Sequence, residues 1–218
     1  MSRNSHASGF TLVELMLSMT FVAVMLVAIA LCVIQISTIY SRGETVRQLN
    51  QVMRVVATDL ETTVAAAHPF DVDPAAVAAG RLCMGRYTYV WSVPAPGRQN
   101  TAADGSVIRF GRVSDPGKTL CAPANLSTTS ITQEVTDLMV AGDRSLMVHS
   151  LAVTPVITTT SSTQRLYTLT MLVGTDDTAA IETTADNVTV CRGPSDANAD
   201  LTYCAINEFT ITVRAGIR

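Results

Sequence analysis

The sequence predicts an α+β fold, in which one long N-terminal helix packs on a β-rich region built from the rest of the chain. Three observations lead to it. Leu15 to Ser41 contains no charged residue. Across Ser41 to Ala67 the apolar residues recur every three or four positions. Beyond Pro69 the apolar spacing is closer to two, and stretches rich in Pro, Gly, Asp and Asn interrupt it.

Residues 1–9 are short and polar, carry Arg3 and His6, and read as a leader rather than the start of a fold. Residues 10–40 form an apolar run long enough to span a bilayer, with Glu14 one turn inside it. An acid in that setting is costly and therefore marks function. Residues 41–67 place Val46, Leu49, Met53, Val56, Leu60 and Val64 on one stripe, with Arg47, Gln48, Gln51, Arg54, Asp59 and Glu61 between them. This is an amphipathic helix. Gly43 is the only helix breaker before Pro69, and one glycine costs about 1 kcal/mol relative to alanine. A single helix from about Phe10 to about Ala67 follows, on the order of 85 Å long. Its first half suits lipid and its second half must cover something soluble.

His68-Pro69 stops the helix, because proline disfavours helical geometry in the residue before it. Residues 68–218 then read as a β-rich head. Tyr87–Val93, Ser106–Val113, Ser145–Val153, Gln164–Val173 and Asn207–Ala215 have strand composition. Pro94–Gly105, Ser114–Lys118 and Gly174–Ala180 read as loops, as does the TTTSST run of Thr158–Thr163. Ile131–Val140 fits a short helix or a strand equally well.

Composition narrows the function. Of 218 residues 15% are charged, the net charge is −3, and Lys118 is the single lysine. With no basic cluster, no nucleic-acid partner is expected. No GxSxG, P-loop or metal-ligand cluster occurs, so neither a catalytic constellation nor a cofactor is expected. His68 and His149 have no nucleophile or acid at motif spacing, and Tyr87, Tyr89 and Trp91 alternate as strand residues do. Of five cysteines, Cys32 lies in the apolar run as a packing residue, while Cys83, Cys121, Cys191 and Cys204 lie in the head. An even number outside a membrane-directed segment points to disulfides and an oxidising compartment. Four cysteines allow three connectivities; the shortest loops favour Cys83–Cys121 and Cys191–Cys204. Zinc is the competing use, against which stand the absence of CxxC spacing and the isolation of His149. Asp196, Asn198 and Asp200 match the start of a calcium loop, but Leu201 replaces its glycine and Asn207 its twelfth-position acid. Turn-forming residues in a disulfide loop explain the same letters.

An ordinary signal peptide is the plain alternative for the N-terminus, with Ala28-Ile29-Ala30 as an A-x-A site. The apolar run continues past it through Ile36, and Glu14 sits where such peptides avoid acids. A lipoprotein site at Cys32 fails because bulky Leu31 precedes it.

A short charged leader ending in Gly9, then Phe10, an apolar run and Glu14 as the fifth residue from Phe10 resembles the class III signal of type IV prepilins. The match is G-FTLVELMLSM, Gly9 to Met19. The resemblance implies a pilin-like fold, cleavage between Gly9 and Phe10 by a prepilin peptidase, and N-methylation of Phe10. It implies a single-pass protein of the inner membrane with a cytoplasmic N-terminus and an extracytoplasmic head. Partners would be other pilin subunits in a helix bundle at the cell surface, and the platform protein and ATPase of the machine. It also implies that Glu14 pairs with the new Phe10 amine of its own or a neighbouring subunit. Leu31 stands where many major pilins have a proline, and Ala23 where a glycine often sits. An uninterrupted helix is commoner among minor pilins and pseudopilins, so a minor pilin is the preferred expectation. The alternatives are a type II secretion pseudopilin, a tip adhesin or DNA-capture pilin, and a membrane-anchored binding domain with an ordinary signal anchor.

Overall fold

The computed structural model describes residues 11–93, 99–139, 145–156, 165–177, 179–184, 189–193, 195–200 and 203–216. The chain divides into two compact units, Met1–Ser41 and Arg42–Arg218. Helix α1, Leu12–Ala66, is continuous over 55 residues. The architecture is α+β: a long helix followed by antiparallel sheets.

In the second unit α1 buries Thr45, Leu49, Met53, Val56, Ala57, Leu60, Thr63 and Val64. The expected stripe is corrected at its first position, since Val46 is 40% exposed and Thr45 is fully buried instead. At 100° per residue, Thr45 aligns with Leu49 and Val56 better than Val46 does. The helix ends where the sequence places the end, with Pro69 three residues past Ala66.

The first sheet is a five-stranded antiparallel meander in chain order: β1 (Val72–Asp73), β2 (Arg81–Met84), β3 (Tyr87–Val90), β4 (Gly111–Ser114) and β5 (Val135–Asp137). A 3-10 turn, Pro74–Ala79, joins β1 to β2; the Asp73 carboxylate accepts the Ala75 amide at 2.9 Å and Gly80 closes it. Gly80 is obligatory in two ways: its φ is +73°, and a Cβ would lie 2.2 Å from the Trp91 carbonyl oxygen. The second sheet has β7 (Arg165–Thr175) at its centre, flanked by β6 (Leu146–Val156) and β10 (Ile206–Ala215). A separate hairpin pairs β8 (Ile181–Thr183) with β9 (Thr189–Cys191).

One core unites the helix stripe with Leu82, Tyr89, Trp91 and Phe110 of the meander region and with Leu151, Tyr167, Leu169, Met171 and Ile211 of the second sheet. Each such aliphatic side chain, fully buried, contributes about 1.5–3 kcal/mol. A second cluster of Val90, Ile108, Val113, Leu120 and Ile131 lies on the other face of the meander. Both faces are therefore covered, and all four residues of β2 are buried.

Strand expectations over β6, β7 and β10 agree with the structure to within three residues at every end. Three others need correction. Tyr87–Val93 is strand only to Val90: Trp91 still bonds the Gly80 carbonyl opposite it, but Gly80 closes the 3-10 turn and β2 does not extend past Arg81. Ser106–Phe110 is not a strand; Ile108 bonds Asn100 and Ser92 bonds Ile108, so this segment folds over the meander. Gly174 and Thr175 belong to β7 rather than to a loop. Within Ile131–Val140, Val135–Asp137 resolves as a strand, β5, and Val140 lies outside the described residues.

Candidate functional site

The candidate segment is Leu12–Tyr40 of α1. It is long and apolar enough to cross a membrane by length and composition. Every described side chain from Thr11 to Ser37 is exposed, including Phe21, Leu26 and Ile34. Three hydroxyl groups within the segment bond the helix backbone. Ser18 donates to the Leu15 carbonyl at 2.9 Å, Thr20 to Leu17 at 2.8 Å and Thr38 to Ile34 at 3.0 Å.

Glu14 is the acid of a capping box. Its carboxylate accepts the Thr11 amide at 3.0 Å and the Thr11 hydroxyl at 2.9 Å, while the Glu14 amide donates to Thr11 Oγ1 at 3.3 Å. Thr11 is thus the N-cap and Glu14 the third helical residue, placing a negative charge at the positive end of the helix dipole. The T-x-x-E spacing of Thr11 and Glu14 is the sequence signal of this box, and it is masked by the apolar run around it. Gly9 and Phe10 lie outside the described residues. Ala23, Leu31 and Gly43 sit in unbroken helix, and Cys32 is an exposed free cysteine.

The head has polar nodes that serve its architecture. Asp59 of α1 accepts the Tyr89 hydroxyl at 2.5 Å and the Arg112 guanidinium at 2.5 Å, tying the helix to β3 and β4. Burial, and then the Asp59 bond, push the Tyr89 hydroxyl far above the ordinary tyrosine value. Arg112 also lies 4.9 Å over the Tyr87 ring. Fully buried Arg81 donates to the carbonyls of Leu120, Asn125 and Thr128, holding the outer loop by three of its strands of backbone. Burial pushes the Asp115 carboxyl up, and the amides of Leu120 and Thr119 with the hydroxyls of Thr119 and Thr88 outweigh this, leaving it below the usual carboxylate value.

Disulfides join Cys83 to Cys121 and Cys191 to Cys204. Closing loops of 38 and 13 residues stabilises by about 4 and 3 kcal/mol on the chain-entropy account. With these thiols paired, the zinc reading loses its ligands. His149 occupies a bulge in β6, its Nε2 3.1 Å from the Thr175 carbonyl, and burial lowers its pKa. Asp196 accepts the Asn198 amide at 2.8 Å and Arg192 at 2.9 Å, so the calcium-like stretch is a turn closed on its own backbone. Among the described residues no group of three or more His, Cys, Asp or Glu is placed to hold a metal. A groove of about 640 Å³ is lined by His68, Asp71, Arg86, Tyr87 and Lys118 at the C-terminal end of α1. Lys118 pairs with Asp71 at 2.7 Å, and cations there complement the helix carbonyls. Comparison with protein-family models, curated proteins and solved structures finds no match.

Proposed function

We propose that the chain is a membrane-anchored structural subunit of a type IV pilus or related filament, in the role of a minor pilin. One observation carries this reading: an exposed, uninterrupted apolar helix with a single acid, Glu14, in its first turn. A water-facing helix of this composition needs lipid or other apolar helices around it. The same segment can serve as a membrane span before assembly and as a bundle element after it.

In this reading a prepilin peptidase cuts between Gly9 and Phe10 and methylates the new amine. Glu14 then exchanges its Thr11 cap for that cation, on its own or a neighbouring subunit. Within an apolar bundle a misplaced subunit leaves both charges unpaired, so the pair selects axial register. The head stays outside the inner membrane, and the two disulfides suit that oxidising compartment.

Mass spectrometry of sheared surface filaments tests the proposal. A peptide beginning with N-methyl-Phe10 is expected; one beginning at Met1 or Leu31 overturns it.

A further inference from the structure

The three-stranded sheet ends in two strands of different construction. Strand β6 shifts register between Val148 and Ser150 and carries Pro155 within its length. Bulges and proline are the devices that keep an edge from recruiting another strand. Strand β10 has neither: it pairs with β7 over ten consecutive residues without a shift. Among the described residues, no backbone–backbone hydrogen bond other than those to β7 involves Asn207 to Val213. Among the described residues, one edge is blocked and the other is open.

The open edge is also self-complementary. About Ile211, the run Glu208-Phe209-Thr210-Ile211-Thr212-Val213-Arg214 reads outward as Thr and Thr, Phe and Val, Glu and Arg. We propose that β10 is a homodimerisation strand, to which a second copy adds its own β10 antiparallel, with the two-fold axis at Ile211. The two sheets then join as one sheet of six strands.

In this register Glu208 stands opposite the partner's Arg214, Thr210 opposite the partner's Thr212, and Phe209 opposite the partner's Val213. Opposite charges, threonine pairs and aromatic–aliphatic pairs are the favourable cross-strand combinations. Glu208, Thr210, Thr212 and Arg214 are exposed, on one face, while Phe209, Ile211 and Val213 point to the core side. A parallel arrangement centred on Ile211 would align Glu208 with the partner's Glu208. A slip of one residue would carry every side chain to the opposite face. Two-fold pairing repeats each contact, so both ion pairs form together. This pairing involves the head alone and does not depend on processing at Gly9.

Cysteine cross-linking of the full chain in detergent tests the register, in a Cys32→Ser background. An equal mixture of Thr210→Cys and Thr212→Cys variants is expected to give several-fold more disulfide-linked dimer than Thr168→Cys on central strand β7. Glu208→Arg alone should weaken dimerisation about tenfold by placing two arginine pairs together, and Glu208→Arg with Arg214→Glu should restore it. Sedimentation reads the affinity, and unchanged thermal melting of the variants shows that the head stays folded. Cross-linking no higher than the Thr168→Cys control, or failure of the double exchange to restore dimers, overturns the proposal. Recruitment of a foreign strand in place of a second copy would produce that same failure.

Discussion

Asp115 accepts four hydrogen bonds at 2.9–3.0 Å and joins β3, through Thr88, to the outer loop at Thr119 and Leu120. Its folded pKa lies below the ordinary value. Its stabilisation is therefore complete above about pH 4 and is lost as pH falls through the lower folded value. His149, whose pKa burial also lowers, favours its neutral form, so its contribution is complete above about pH 6.5 and declines as pH falls. Acid titration of the folded head should show stability falling in these two windows. Asp115→Asn should cost about 2 kcal/mol at neutral pH and remove the lower one, as read by urea unfolding across pH. Equal acid sensitivity in the variant would refute this. At this scale the sequence is uneven. The Thr11–Glu14 box is three letters apart and readable, whereas the partners of Asp115 come from 27 residues earlier as well as four and five later. A pairing made by tertiary folding leaves no local spacing to read.

Along α1, burial separates neighbours that composition treats alike. Leu60 is 1% exposed and Val46 40% exposed. Leu60→Ala should cost about 2–5 kcal/mol, and Val46→Ala less than about 0.5 kcal/mol, measured by chemical denaturation of the full chain in detergent. Similar costs at both sites would contradict the packing. The helix and the strands β6, β7 and β10 were legible because each buries one face, which imposes a period of 3.6 or two on the letters. Strand β2 was not, because Arg81-Leu82-Cys83-Met84 is covered on both sides and has no alternation to display. Ser106–Phe110 has strand letters but serves as a cover, its Ile108 buried against Leu120 and Ile131. The hairpin of β8 and β9 is three residues a side, too short to stand out from loop composition.

For the molecule as a whole, the filament reading rests on residues 10–40 while the head supplies folding stability. Glu14→Val keeps the segment apolar and removes its one acid. Cleavage after Gly9 should continue, and recovery of the subunit in sheared filaments should fall at least tenfold, comparing filament and membrane fractions by immunoblot. Normal recovery would defeat the register role assigned to Glu14. The helix itself is close to indifferent to its apolar surroundings. Ser18, Thr20 and Thr38 already donate to their own backbone carbonyls, so for these three groups passing from lipid to a bundle of helices requires no exchange of hydrogen bonds, and on the filament reading it is Glu14 that changes partner. Lipid tails and leucine side chains are equally apolar, which leaves packing to set the difference between the two states. On the filament reading, such a segment meets little barrier of its own, beyond the Glu14 exchange, when it leaves the bilayer. On that reading the direction of transfer is imposed from outside the segment.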